Sequence, residues 1–115
     1  MVNRIVVGAH YGLKDWLAQR VTAIVMALYT VLFGVAALVH GPFDYEGWRA
    51  FIAQGWVRFA SFLFVVALGY HAWIGMRDIL MDYVKPTGAR LALHALVAVL
   101  LVGYVGWAVQ VLWRL

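Results

Sequence analysis

The sequence predicts an all-α membrane protein with three transmembrane helices. Two observations carry this. The chain is 66% hydrophobic and only 12% charged, against about 45–50% apolar and about 25% charged residues in soluble domains. Its apolar residues also gather in three uncharged runs, Val21–Val39, Phe59–Met76 and Leu91–Trp113, of 19, 18 and 23 residues. Each can cross a hydrocarbon core as a helix, for which about 17–25 residues are needed.

The elements follow in order. "MVNRIVVGAHYGLKDWLAQR" reads as a short N-terminal segment, with Trp16 placed to anchor at the membrane interface. No cleaved leader is expected, because the first apolar run exceeds an ordinary signal h-region and lies behind twenty residues. The first span is predicted at about 18–39. Gly41 and Pro42 end it, since glycine suits a helix C-terminus and proline cannot continue the helix. Asp44 is a candidate N-cap. After it, Tyr45, Trp48, Phe51 and Ile52 fall at helical spacing, predicting a short helix lying on the outer surface. The second span is predicted at about 58–80, in a helix continuing to about Val84. Pro86 biases Lys85 away from helical geometry and "KPTG" forms the turn. The third span is predicted at about 90–113. Without a repeat or linker, residues 1–115 read as one transmembrane domain. Abundant Gly and Ala along the spans favour close helix approach, within the chain or against a partner chain.

The net charge of +4 does not indicate nucleic-acid binding, because the cations flank spans instead of forming a patch. Arg4, Lys14, Arg20, Arg77, Lys85 and Arg90 fall on one side of an alternating topology, and Arg49, Arg58 and Arg114 on the other. The positive-inside rule therefore predicts a cytoplasmic N-terminus and a periplasmic C-terminus. With no cysteine, the chain offers no disulfide, iron–sulfur ligation, thiolate nucleophile or covalent c-type haem attachment.

His71 is the residue that hydrocarbon does not explain. An ionisable side chain within a span is costly, and generally faces the bundle interior or a polar cavity. His40 and His94 lie near span ends, where they read as edge residues, and His10 lies in the N-terminal segment. At about 100° per residue, Ala67, Gly75, Asp78 and Asp82 fall near His71 on one helical face. Small neighbours leave room for a flat macrocycle, so one reading of His71 is an axial haem ligand. The other is an interhelical hydrogen bond to Ser, Thr or backbone. Spacing alone leaves both open. It also leaves open whether a second axial imidazole is His94 or comes from a partner. Tyr83, about 18 Å along the helix from His71 at 1.5 Å per residue, reads as an interface anchor. Its phenol, beside Asp82, also suits donation to the carbonyl of a lipid-soluble redox ligand.

The stretches "RVTAIVMALY" from Arg20 and "HAWIGMRDILMDYVKP" from His71 resemble the smaller hydrophobic membrane-anchor subunit of bacterial succinate dehydrogenase. Length and the three spans agree over nearly the whole chain, and the second stretch is the specific one. The resemblance implies packing with a larger anchor subunit into a haem-binding bundle. His71 would be one axial ligand of haem b, with the other supplied by that partner and not by His94. Tyr83 would donate a hydrogen bond to ubiquinone, Asp82 would support it, and Arg20 would lie near the haem propionates. A flavoprotein and an iron–sulfur subunit would complete the complex in the bacterial inner membrane, and the chain would be no enzyme on its own. Lys14 stands where some relatives are expected to carry a histidine, so it takes no ligand or proton role. Two alternatives accompany this reading: the anchor of a related fumarate reductase, and a structural three-span assembly or transport subunit without a cofactor.

Overall fold

A computed structural model describes the backbone of residues 3–115 and the side chains of residues 12–115. The chain forms α1 (Asn3–His40), α2 (Tyr45–Ala53), α3 (Gly55–Tyr83) and α4 (Thr87–Arg114). Gly12–His40, Gly55–Tyr83 and Thr87–Arg114 are each long and apolar enough to cross a membrane. His10 has its side chain outside the described residues.

α1 departs from the sequence reading, in which a short N-terminal segment precedes a first span beginning at about residue 18. The charges of "LKDWLAQR" end a hydrocarbon span, but these are good helix formers with no Gly or Pro among them. The helix therefore passes through them without a break. It ends where the Gly41 N–H donates to Ala37 O at 2.8 Å. A Cβ on Gly41 would lie 2.8 Å from the same carbonyl oxygen, so only glycine fits this close approach.

Asp44 caps α2, its Oδ1 accepting from the Gly47 N–H at 2.7 Å. The helix has the predicted amphipathic spacing, but its apolar face turns inward. Phe51 is 2% exposed, and with Ile52, Val57 and Leu112 it forms a core cluster against which Phe33, Ala36 and Phe43 pack. α2 thus packs over the end of the helix row, with Tyr45 and Trp48 left exposed. Aromatic contacts support this packing: the Phe51 ring lies 5.5 Å from Phe33 and 5.1 Å from Phe43. At the other end Val84 turns extended, while its N–H still donates to Leu80 O at 3.1 Å. Pro86 then opens α4.

The spans form a row with α3 in the middle. α3 packs against both α1 and α4, whereas among the described residues the α1 and α4 backbones do not pack on each other. The molecule accordingly measures 61 × 28 × 20 Å. Gly69 allows the close approach of α3 and α4, since a Cβ there would lie 2.7 Å from Val105 Cγ2. A row buries little of each helix. Ile24, Leu28 and Val31 of α1 and Val99 and Val102 of α4 remain exposed, as lipid-facing or partner-facing residues must be.

Phe51→Ala is expected to destabilise the chain by about 3–5 kcal/mol through the cavity it leaves. Asp44→Ala should cost about 1 kcal/mol. Unfolding of the detergent-solubilised protein, followed by circular dichroism, checks the ranking.

Candidate functional site: a histidine cleft between α1 and α3

Three polar contacts tie α1 to α3. The Arg77 guanidinium pairs with the Asp15 carboxylate, Thr22 Oγ1 lies 2.9 Å from His71 Nδ1, and Tyr29 Oη lies 2.8 Å from Ser61 Oγ. Asp15, Thr22 and Tyr29 are seven residues apart, two helical turns, so one stripe of α1 carries all three. The partners Arg77, His71 and Ser61 descend along α3, as antiparallel packing requires. Interhelical hydrogen bonds within membranes contribute about 0.6 kcal/mol each on average. The ties therefore fix register more than they add stability.

His71 is half-buried and lines a cleft of about 420 Å³ with Gly12, Trp16, Gln19, Arg20 and Asp78. Residues about fifty positions apart in sequence, Arg20 and His71, thus meet in one site. The Arg20 guanidinium sits 5.3 Å from the Trp16 ring centroid, which holds a cation at the mouth of the cleft. A larger groove of about 560 Å³ between α3 and α4 is lined by Val66, Gly69, Trp73, Leu101 and Val105. It is almost wholly apolar and offers no comparable chemistry.

The expected face of α3 is realised in part. Asp78 lines the cleft with His71, and Gly75 has open space where a Cβ would stand. Ala67 is buried instead, so the free volume lies on the Gly75 side of the imidazole. Asp82 and Tyr83 are exposed, Tyr83 at 78%, in the last turn of α3 and outside the cleft. Lys14 is exposed beside the Asp15–Arg77 pair.

His94 does not approach His71. Its ring meets Trp73 edge to face at 6.0 Å, and its Nδ1 lies 2.7 Å from Arg90 O. Trp73 is about 200° around α3 from His71, so the two imidazoles occupy opposite flanks. A haem held by both within one chain, conceivable from depth alone, is excluded by this geometry. His40 is also an edge residue, its Nδ1 2.9 Å from Ala36 O.

A family model described as "Succinate dehydrogenase/Fumarate reductase transmembrane subunit" matches residues 3–107. The chain belongs to this family. It is also 42% identical, over 102 residues and 89% of each chain, to the succinate dehydrogenase hydrophobic membrane anchor subunit of Coxiella burnetii (strain RSA 493 / Nine Mile phase I). Family and spans together make it a multi-pass membrane protein. An assembly or transport subunit of another class is thereby set aside.

The residues fit half of a haem site. His71 brings one imidazole to the cleft, and among the described residues no cluster of three or more His, Cys, Asp or Glu side chains gathers. Gln19 Oε1 is buried without a hydrogen-bond partner in the same cleft. An acceptor left in this state is costly. Sequence reasoning did not find Thr22, Gln19 or the Asp15–Arg77 pair. Thr22 was legible only as a polar residue inside a span; its partner, 49 positions away, has no local signature.

A double-mutant cycle on Asp15→Asn and Arg77→Gln should give a coupling of about 0.2–1 kcal/mol, because both side chains are about one-third exposed. The coupling should weaken as salt is raised. Unfolding measured at two ionic strengths checks this.

Proposed function

We propose that this chain is the small membrane-anchor subunit of a succinate dehydrogenase, holding haem b through His71 and forming part of a ubiquinone-reduction site through Tyr83. The observation that carries the reading is the His71 imidazole, tethered at Nδ1 and lining a cleft with Arg20. A hydrogen bond on one nitrogen of histidine orients the other toward a metal, so the two readings left open by spacing are compatible. The name of the Coxiella relative favours succinate oxidation over the fumarate reductase anchor.

In this reading His71 would supply one ligand to the haem iron, and the larger anchor subunit would supply the other. Arg20 would neutralise the propionates by charge-assisted hydrogen bonds. When bound, haem would supply one-electron exchange. The exposed Tyr83 phenol donates to a ubiquinone carbonyl, with its partner subunits completing the pocket. Asp82, also exposed, orients the group or passes protons from the aqueous phase, since quinone reduction consumes two protons with two electrons. Succinate oxidation belongs to the flavoprotein subunit and electron delivery to the iron–sulfur subunit, so the chain contributes position and electrostatics. The charge asymmetry supports a cytoplasmic N-terminus and a periplasmic C-terminus in a bacterial inner membrane.

His71→Ala should abolish or shift the b-type signal in a reduced-minus-oxidised optical spectrum of the purified complex. Succinate oxidation by a soluble dye should survive. An unchanged spectrum would remove His71 as ligand. Tyr83→Phe should retain the haem signal and slow quinone reduction by about tenfold, matching about 1–3 kcal/mol for an acceptor left unsatisfied. An unchanged quinone-reductase rate would end the hydrogen-bond role of Tyr83.

A further inference from the structure

Thr22 is 9% exposed, and its hydroxyl oxygen has three neighbours. Ala18 O lies at 2.8 Å, Gln19 O at 3.1 Å and His71 Nδ1 at 2.9 Å. A threonine hydroxyl carries one proton and two acceptor lone pairs. Backbone carbonyls can only accept, so the one proton is committed to the α1 backbone, shared between the two carbonyls. What remains facing the imidazole is lone pair. An unprotonated Nδ1 at 2.9 Å would meet that lone pair with its own, which is repulsive. His71 Nδ1 therefore carries the proton and donates to Thr22 Oγ1. In the neutral ring the other nitrogen, Nε2, is then the bare lone pair.

Thr30 shows that this is more than the habit of a threonine in a membrane helix. It makes the same back-bond, to Met26 O at 2.8 Å, but it is exposed, and among the described residues it bonds to no side chain across an interface. Thr22 alone of the two has its hydroxyl oriented by the backbone and presented to a histidine. A simple tie between helices would be served as well by the hydroxyl pair of Tyr29 and Ser61. Only the pairing with imidazole selects a tautomer.

We propose that Thr22 is a positioning residue for His71, fixing the Nδ1–H tautomer and the ring orientation so that Nε2 is presented as the metal-donor atom. The inference rests on the reading of His71 as a haem ligand and adds the group that controls it. A hydrogen bond accepted from Nδ1–H raises the electron donation of Nε2, which favours the ferric over the ferrous state. Its removal shifts the balance the other way.

The test is a potentiometric titration of the haem optical signal in the purified four-subunit complex. Thr22→Val keeps shape but removes the acceptor. The ferric-to-ferrous ratio at fixed potential should fall by about tenfold, the low end of outer-sphere effects, or about 59 mV upward for a one-electron couple. Thr22→Ser should restore the wild-type midpoint, and Thr22→Cys, with its weaker acceptor, should fall between. Haem retained at the wild-type midpoint in Thr22→Val overturns the proposal. Should Thr22→Val fail to assemble, a wild-type midpoint in Thr22→Cys overturns it instead. His71→Ala, run beside these, separates the two levels. Loss of its haem signal together with unmoved Thr22 midpoints rejects the role of Thr22 while keeping His71 as ligand. An unchanged signal in His71→Ala rejects the ligand reading itself.

Discussion

An imidazole placed in hydrocarbon has two ring nitrogens to satisfy, and this chain occupies one of them by a hydrogen bond across a helix interface. Nδ1 is held by Thr22 of α1, which requires α1 and α3 to lie antiparallel in a set register. That register is held on either side by the Asp15–Arg77 pair and the Tyr29–Ser61 hydroxyls. The heptad stripe on α1 makes a single face answer for all three contacts. The other side of the ring, left to Nε2, is where the proposed chemistry begins.

The described residues of the three spans make a row and not a closed bundle. With α3 in the middle, α1 takes one flank and α4 the other, so His71 and His94 are directed apart. The cleft at His71 is lined by α1 and α3, with Gln19 Oε1 buried without a hydrogen-bond partner in its lining. In the proposed reading, a partner at this face would supply the second axial ligand. The Phe51 cluster closes the opposite end of the row, leaving the chemistry-bearing residues concentrated where α3 nears its C-terminus.

Much of this was legible in the sequence. The three uncharged runs marked the spans, Asp44 and Pro86 marked the ends of elements, and His71 stood out by its burial in an apolar segment. Two features were not. Charge at Lys14, Asp15 and Arg20 ends a hydrocarbon run without ending a helix, so α1 extends well beyond the predicted span. The inward turn of α2 depends on Leu112, sixty-one positions from Phe51, and periodicity shows which face is apolar without showing what covers it. The choice between haem ligand and hydrogen bond for His71 was framed as exclusive because spacing treats a residue as one point. The side chain has two ring nitrogens, and Thr22 Oγ1 stands at one of them.

The most direct measurement is a high-resolution electron cryomicroscopy map of the assembled membrane complex. Planar macrocycle density is expected in the α1–α3 cleft, its metal bonded to His71 Nε2, while Nδ1 stays within hydrogen-bonding distance of Thr22 Oγ1. A cleft filled by a partner helix with no macrocycle, or His71 turned so that Nδ1 faces the metal, would contradict this assignment.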